Sequence, residues 1–340
     1  MDDDSTDSLP RVPSRMRRAL LGIALCGTAL ALPVTSLAQP QRRIWRIGFL
    51  AADSSSTRVN AGFSEGMREL GLVEGRDFVV HWRFADGRYE RLPALAEELV
   101  RLNVDVIVAA TTLSVQAARL ATKTLPIVMV AVSDPIGEGF AVSLARPGGK
   151  ITGLCNIVTE VSVKHLELLQ AAVPKLSRVA VLINPLNPSG GLILEQIQGA
   201  AYARGLKVSA VEASTASQLE AGFGVMTRVR AEGLIVAADS FFDVQRNQIA
   251  ELAIRNRIPT IFSNREMTEA GGLMSYGQNL AEHYRRTALY VDKIMKGANP
   301  GELPIERPTI LEFVINRTTA NALGLTIPRD LELRAERVIE

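Results

Sequence analysis

The sequence is poor in the residue types that mark most enzymes and metal proteins. It contains two cysteines and three histidines in 340 residues, and only 5% of its residues are aromatic. His81, His165 and His283 lie far apart and follow none of the short spacings typical of metal sites, so we predict no metal ligands and favour surface or packing roles. No serine lies in a GxSxG motif, and Cys155 has no histidine near it in sequence, so no catalytic nucleophile is predicted.

Nucleotide-binding motifs are also incomplete. Gly137 and Gly139 would need a third glycine at position 142 to complete GxGxxG, and Val142 stands there. The formal net charge is only +2, and no basic cluster with interleaved aromatic residues occurs. The sequence therefore predicts no catalytic residue, no cofactor and no nucleic-acid partner.

The N-terminus has the pattern of an export signal. An arginine-rich stretch at residues 15–18 precedes an apolar run of about 14 residues, which is shorter than the roughly 20 residues that span a bilayer. Small residues follow at the positions read by signal peptidase, ending at Ala38. We predict a disordered leader and signal peptide over residues 1–38, cleavage after Ala38 and a periplasmic location. Either Met1 or Met16 can be the start, and either the general or the twin-arginine export route fits.

The rest of the chain repeats one pattern of apolar strands and helices. With 47% hydrophobic residues, it has enough apolar material for two domains. Strands that read as continuous apolar runs and alternate with helices indicate parallel sheets covered on both faces. Three strand sequences recur at a spacing of about 130 residues: RIGFLAA and RVAVLIN, DVIVAAT and GLIVAAD, LPIVMVA and IPTIFSN.

This repeat predicts the fold class and the domains. We expect an α/β protein with two Rossmann-like lobes, whose parallel sheets are flanked by helices and hinged around a central cleft. The predicted lobes comprise residues 44–153 plus about 273–305, and residues 154–272 plus about 306–340. Open α/β sheets bind ligands at the carboxyl ends of their strands. The cleft should therefore be lined by residues 53–57, 111–114, 133–137, 184–189, 239–243 and 264–266.

Two carboxylates at strand ends can be interpreted either as ligand-binding residues or as caps of turns and helices. Asp134 and Asp239 each follow an apolar strand, and hydroxyl and amide side chains accompany them in the other loops. Such a set suits a polar or zwitterionic ligand. The alternative is that Asp134 only caps a turn before Pro135, and that Ser54, Thr112 and Ser114 only cap helices.

Long strings of the sequence resemble a known family. They are ERLPALAEELVRLNVDVIVAATT, VAVSDPIGEGFAVSLARPGGKITG, LELLQAAVPKLSRVAVLINPLNP, EAGGLMSYGQNL, YVDKIMKGANPGELPIERPT and FVINRTTANALGLTIP. In this order, over about residues 44–340, they are similar to ABC transporter substrate-binding proteins. The resemblance implies a type I periplasmic binding protein fold and an extracytoplasmic receptor that delivers a small molecule to an inner-membrane ABC permease. The characterised branch binds amino acids, notably aromatic ones such as tryptophan.

The resemblance also implies a set of ligand-binding residues. They are Ser54, Ser55, Thr111, Thr112, Ser133, Asp134, Asn156, Asn184, Asp239, Glu266 and Tyr276. Asp239 matches the position at which amino-acid-binding relatives offer a carboxylate to the ligand amine. Replacing Asp239 with alanine is accordingly expected to abolish binding and to leave the fold intact.

These inferences together predict a monomeric binding protein rather than an enzyme. Its lobes are expected to close by a hinge motion at three crossings of the chain, near residues 153–156, 271–276 and 305–311. The alternative function is a periplasmic ligand sensor that feeds a signalling receptor instead of a transporter.

Overall fold

A computed structural model describes residues 43–54 and 57–340 of the chain. The predicted leader and signal peptide at residues 1–38 lie outside the described residues, as does Ser55. No helix in the described part of the chain is both long and apolar enough to cross a membrane.

The first lobe is built on a five-stranded parallel sheet. Its strands are β1 (Trp45–Ala51), β2 (Phe78–Phe84), β3 (Val106–Ala109), β4 (Ile127–Val132) and β5 (Ile151–Cys155), in the order β2-β1-β3-β4-β5. Its helices are α1 (Thr57–Glu69), α2 (Leu92–Arg101), α3 (Thr112–Ala121) and α10 (Leu280–Met295). Ile47 and Phe49 pack on the α1 and α10 face, and Leu50 packs on the α2 and α3 face. The sheet is apolar on both faces because helices cover both.

The second lobe contains a seven-stranded sheet. Its strands are β6 (Arg178–Ile183), β7 (Lys207–Glu212), β8 (Gly233–Val236), β9 (Thr260–Phe262), β10 (Met274–Gln278), β11 (Leu311–Asn316) and β12 (Arg337–Ile339), in the order β7-β6-β8-β9-β10-β11-β12. Strand β11 is antiparallel to β10, and the other pairs are parallel.

Helices cover both faces of this second sheet as well. They are α4 (Val158–Ala172), α5 (Ser189–Tyr202), α6 (Ala216–Arg228), α7 (Ser240–Val244), α8 (Arg246–Arg255), α9 (Arg265–Glu269), α11 (Arg317–Leu323) and α12 (Arg329–Glu332). Short 3-10 turns at Tyr89–Arg91 and Pro300–Glu302 lie in the first-lobe part of the chain. Val181 packs towards α4 and α5, and its neighbour Leu182 packs towards α6 and α8.

The strand orders confirm the predicted fold class and the internal repeat. The order β2-β1-β3-β4-β5 in the first lobe corresponds to β7-β6-β8-β9-β10 in the second. The three recurring strand sequences fall on β1 and β6, β3 and β8, and β4 and β9. Each pair therefore occupies an equivalent place in its sheet, as expected of two lobes of one design.

The chain crosses between the lobes three times, and one predicted crossing is misplaced. The first crossing joins β5 to α4, and the third joins the bridge of Leu154 with Glu306 to β11. The second joins β10 to α10 at residues 278–280, and not at residues 271–276. Residues 274–278 pair with β9 and β11 in the second sheet, so the predicted lobe boundary at 273 is one strand too early.

Candidate functional site

A cavity of about 920 Å³, counting its opening to solvent, lies between the two lobes at the carboxyl ends of their strands. Residues of both lobes line it, including Asp53, Thr111 and Ser133 from the first and Asp239, Asp243 and Asn264 from the second. Apolar side chains also line the cavity, and they are Leu113, Ile157, Val158, Val161 and Leu280. The mixture of polar and apolar side chains in its lining is typical of a small-molecule site.

Helix N-caps bring several polar side chains to the cavity. Thr111, Asp239 and Asn264 follow strands β3, β8 and β9 and cap the helices that come next. The Thr111 Oγ1 accepts a hydrogen bond from the Ser114 backbone N–H at 3.3 Å, and the Asn264 Oδ1 accepts one from the Met267 N–H at 3.3 Å. Capping and cavity lining are therefore combined in the same side chains, because a strand end and a helix start meet there.

Asp239 is the most heavily hydrogen-bonded of these side chains. Its Oδ1 accepts from the backbone N–H groups of Phe241 at 2.9 Å and Phe242 at 3.3 Å, and from Asn184 Nδ2 at 3.1 Å. Its Oδ2 accepts from the Tyr89 hydroxyl at 2.6 Å and from Asn187 Nδ2 at 2.9 Å. Burial nevertheless raises the pKa of Asp239. Five donors occupy its acceptor sites, of which a carboxylate has about four.

Two side-chain hydrogen bonds join the lobes directly. The Tyr89 hydroxyl, from the first lobe, reaches Asp239 in the second. Ser133, at the end of β4, and Ser189, at the start of α5, have their hydroxyl oxygens 2.9 Å apart. These contacts bridge the cleft, so the structure has the lobes closed on the cavity.

Five of the predicted site residues line the cavity. They are Thr111, Thr112, Ser133, Asn156 and Asp239. Asn156 Nδ2 donates to the Ser133 Oγ at 3.3 Å, which fixes that hydroxyl beside Ser189. A sixth residue, Asn184, is buried behind Asp239 and reaches the cavity only through its hydrogen bond to that carboxylate.

Four predicted residues lie elsewhere, and Ser55 lies outside the described residues. Asp134 is exposed and its Oδ1 accepts from the Gly137 N–H at 2.8 Å, so the turn-capping interpretation is the one the structure supports. Tyr276 packs in the second lobe with its ring 6.3 Å from that of Phe313. Ser54 and Glu266 are half-buried but do not line the cavity.

Several cavity residues were not among the predicted site residues. Asp53 and Asp243 lie in segments that are predicted to line the cleft, but neither is among the predicted ligand-binding residues. Burial raises the pKa of Asp53 to about 6 and that of Asp243 to about 7. Tyr89, Gln278 and Tyr284 also line the cavity. Neither periodicity nor a motif in the sequence distinguishes these three.

The histidines and Cys155 are not among the residues that line the cavity. His165 Nε2 donates to the Tyr276 backbone oxygen at 2.6 Å, and burial lowers the pKa of His165 to about 4. His283 is buried beside the Val130 backbone oxygen, and Cys155 is a buried free thiol. Among residues 43–54 and 57–340, no group of three or more histidine, cysteine or acidic side chains is placed to hold a metal ion.

The sequence of this chain is similar to a known protein family and to a known protein. A family described as ABC transporter substrate binding protein matches residues 47–339. A tyrosine-binding protein of Clostridioides difficile is 25% identical over 280 residues, which is 82% of this chain and 80% of that protein.

Two solved structures have similar folds. An ABC domain from Streptococcus pneumoniae in complex with L-Trp superposes with a TM-score of 0.80 at 24% identity, covering 87% of this chain and 100% of that one. The ligand-free, open form of a substrate-binding protein from Clostridium difficile superposes with a TM-score of 0.64 at 23% identity, covering 87% of this chain and 99% of that one.

Proposed function

Because the chain belongs to the family of ABC transporter substrate-binding proteins, we propose that it is the extracytoplasmic solute-binding component of an ABC importer. It binds a small polar solute, an amino acid or a related compound, between its lobes and delivers it to an inner-membrane permease. The observation that carries this proposal is the cavity at the lobe interface, to which both lobes contribute hydrogen-bonding side chains. The family description favours transport over the sensory alternative.

An aromatic amino acid fits the lining of the cavity. Apolar side chains such as Leu113 and Val161 line it together with carboxylates, hydroxyls and amides. The N-termini of α3 and α4 both open on the cavity, where backbone N–H groups favour a carboxylate. The relative that binds tyrosine and the structural neighbour that holds L-Trp support the same ligand class.

Ligand binding is proposed to act by stabilising the closed arrangement of the lobes. The three chain crossings, at residues 155–158, 278–280 and 306–311, connect the lobes and are the natural hinges. A ligand that contacts both lobes has its full set of contacts only when they are closed, so its extra affinity for that state drives closure. The chain itself is proposed to perform no chemistry on the solute.

A thermal-shift and calorimetric screen of the purified protein tests this function. Tyrosine, tryptophan and phenylalanine are the probes, and glucose is the unrelated control. At about 100 times its dissociation constant, a true ligand adds about 2.7 kcal/mol to the free energy of unfolding, which raises Tm by several degrees. Absence of a shift and of binding heat with all three amino acids would overturn the proposed ligand class.

A further inference from the structure

Two carboxylates face the cavity from opposite lobes and are not used in holding the lobes together. Asp53 follows β1 in the first lobe, and Asp243 lies on α7 in the second. We propose that Asp53 and Asp243 together form a subsite for a protonated amine, so that the solute must carry a cationic group at this end. This proposal rests on the proposed function and deepens it, because it assigns one end of the ligand to named side chains.

Asp239, the carboxylate that the family resemblance assigns to the ligand amine, already has a full set of hydrogen-bond donors from the protein. Asp239 accepts hydrogen bonds from Tyr89, Asn184, Asn187 and two backbone N–H groups. A ligand ammonium could approach Asp239 only by displacing one of these donors, and losing a buried donor's partner is costly. The ammonium therefore has to find its acceptors elsewhere in the cavity.

Asp53 and Asp243 each have a carboxylate oxygen that is free to accept a hydrogen bond, which Asp239 lacks. The Oδ1 of Asp53 is enclosed and has no hydrogen-bond partner among the described residues. Asp243 accepts one side-chain hydrogen bond, at 2.8 Å from Asn264 Nδ2 to its Oδ1, which leaves its Oδ2 free. No lysine, arginine or histidine is among the described residues that line the cavity.

The electrostatics of the pair follow from this geometry. Burial is the main cause of the raised pKa values of both carboxyls, and the Asp53 charge raises that of Asp243 further. Two like charges in a partly desolvated space repel, and a cation placed between them is attracted by both. An anionic group in the same place would be repelled, so the subsite discriminates by the sign of the charge.

Two neutral acceptors complete the subsite. Tyr284 is only 4% exposed and lines the cavity. The charges of Asp53 and Asp243 raise the pKa of this hydroxyl beyond the effect of burial, which places it near both carboxylates. Gln278 also lines the cavity, and its enclosed Oε1 is without a partner. An ammonium has three N–H donors, and these side chains offer more than three acceptors.

The test uses three probes that share one ring but differ in charge. L-Tyrosine carries an ammonium and a carboxylate, tyramine keeps only the ammonium, and 3-(4-hydroxyphenyl)propanoate keeps only the carboxylate. Calorimetry on the wild-type protein should show measurable binding of tyrosine and tyramine, and at least about 100-fold weaker binding of the propanoate than of tyrosine.

Isosteric variants then identify the residues. Asp53→Asn and Asp243→Asn should each weaken tyrosine binding by about 10- to 100-fold. Asp134→Asn is the matched control, because Asp134 is an exposed carboxylate of the first lobe that does not line the cavity. The Asp134→Asn variant should bind tyrosine with wild-type affinity. Melting curves of the ligand-free variants show whether each one is folded.

The outcomes separate this inference from the proposed function. If wild-type protein binds tyrosine and the propanoate equally, or if both carboxylate variants are folded and keep wild-type affinity, the amine subsite is wrong and the amino-acid-binding function stands. If the wild type binds neither aromatic amino acids nor tyramine, the proposed ligand class falls and the subsite with it.

Discussion

The hydroxyl of Tyr89 in the first lobe donates a 2.6 Å hydrogen bond to Oδ2 of Asp239 in the second lobe. Burial, followed by the charge of Asp239, raises the pKa of Tyr89, so the hydroxyl keeps its proton and remains a donor. The bond spans the cleft, and it can exist only when the lobes are closed. Tyr89 and Asp239 therefore form a latch that contributes to closure independently of any ligand.

Removing the latch should shift the protein towards an open state. Tyr89→Phe keeps the ring and deletes the hydroxyl, which removes a hydrogen bond to a charged group that contributes about 1.5–3 kcal/mol. We expect tyrosine to bind about tenfold more weakly, and small-angle scattering to show a larger radius of gyration without ligand. Tyr202→Phe is the control, because Tyr202 is 89% exposed. Equal affinities of Tyr89→Phe and wild type would argue against the latch.

Asp239→Ala should lower stability as well as affinity. The substitution removes the N-cap of α7, which costs about 1 kcal/mol. It also leaves Asn184, Asn187 and Tyr89 without their acceptor, at a cost of about 1–3 kcal/mol. The sequence-based expectation of an intact fold is therefore replaced by a fall in Tm, measured by calorimetry without ligand. A Tm equal to that of the wild type would contradict the role given to this carboxylate.

The raised pKa values of Asp53 and Asp243 predict how pH affects stability. Each carboxyl has an ordinary pKa of 3.8 when unfolded and about 6 or 7 when folded, so the folded state binds more protons between these values. Their contribution to stability is therefore fully present below pH 3.8 and is lost as the pH rises through 6 and 7. The charge of Asp86 raises the pKa of Asp53 further, and the charges of Glu266 and Asp239 raise that of Asp243.

The comparison of Asp243→Asn with the wild type isolates this effect. His165, whose pKa is lowered to about 4, shifts stability in the opposite direction below pH 6.5, but it contributes equally to both proteins. Without ligand, the variant should melt at nearly the wild-type temperature at pH 4. It should become increasingly more stable than the wild type up to about pH 8. A difference in Tm that stays constant with pH would show that Asp243 is not desolvated in this way.

The sequence predicts the strands far better than it predicts the individual acceptors. Apolar runs such as residues 178–183 reveal buried parallel strands because burial on both faces demands them. Asp53, Asp134 and Asp239 all follow such strands and look alike in the sequence. Their roles differ because of their hydrogen bonds. Asp134 accepts one from a backbone N–H of its own turn, and Asp239 accepts from five donors, whereas Oδ1 of Asp53 is enclosed without a partner. Those differences depend on tertiary contacts.

The second crossing was misplaced for a related reason. Residues 274–278, with sequence MSYGQ, carry too few apolar side chains to be recognised as an interior strand. Their place in the second sheet depends on pairing with β9 and β11, and β11 lies more than 30 residues further along the chain. Pairing between segments so distant in sequence leaves no local signal.

A disulfide between Ser133 and Ser189 should lock the lobes in the closed state. Their hydroxyl oxygens are 2.9 Å apart across the cleft, so the sulfurs of cysteines at both positions would lie close to each other. Cys155, the cysteine in the described part of the chain, is buried. When the double variant Ser133→Cys/Ser189→Cys is oxidised without ligand, tyrosine should associate much more slowly than with the reduced form, because entry requires the lobes to part.

The same variant oxidised in the presence of tyrosine should release it slowly, and reduction should restore rapid exchange. Stopped-flow fluorescence and ligand retention after gel filtration measure the two rates. The single variants Ser133→Cys and Ser189→Cys are the controls. Each carries one of the two changes to the cavity lining but cannot form the disulfide that links the lobes. If oxidised and reduced double variants exchange ligand at the same rate, access to the cavity does not depend on separation of the lobes, and closure around the ligand is not how this protein holds its solute.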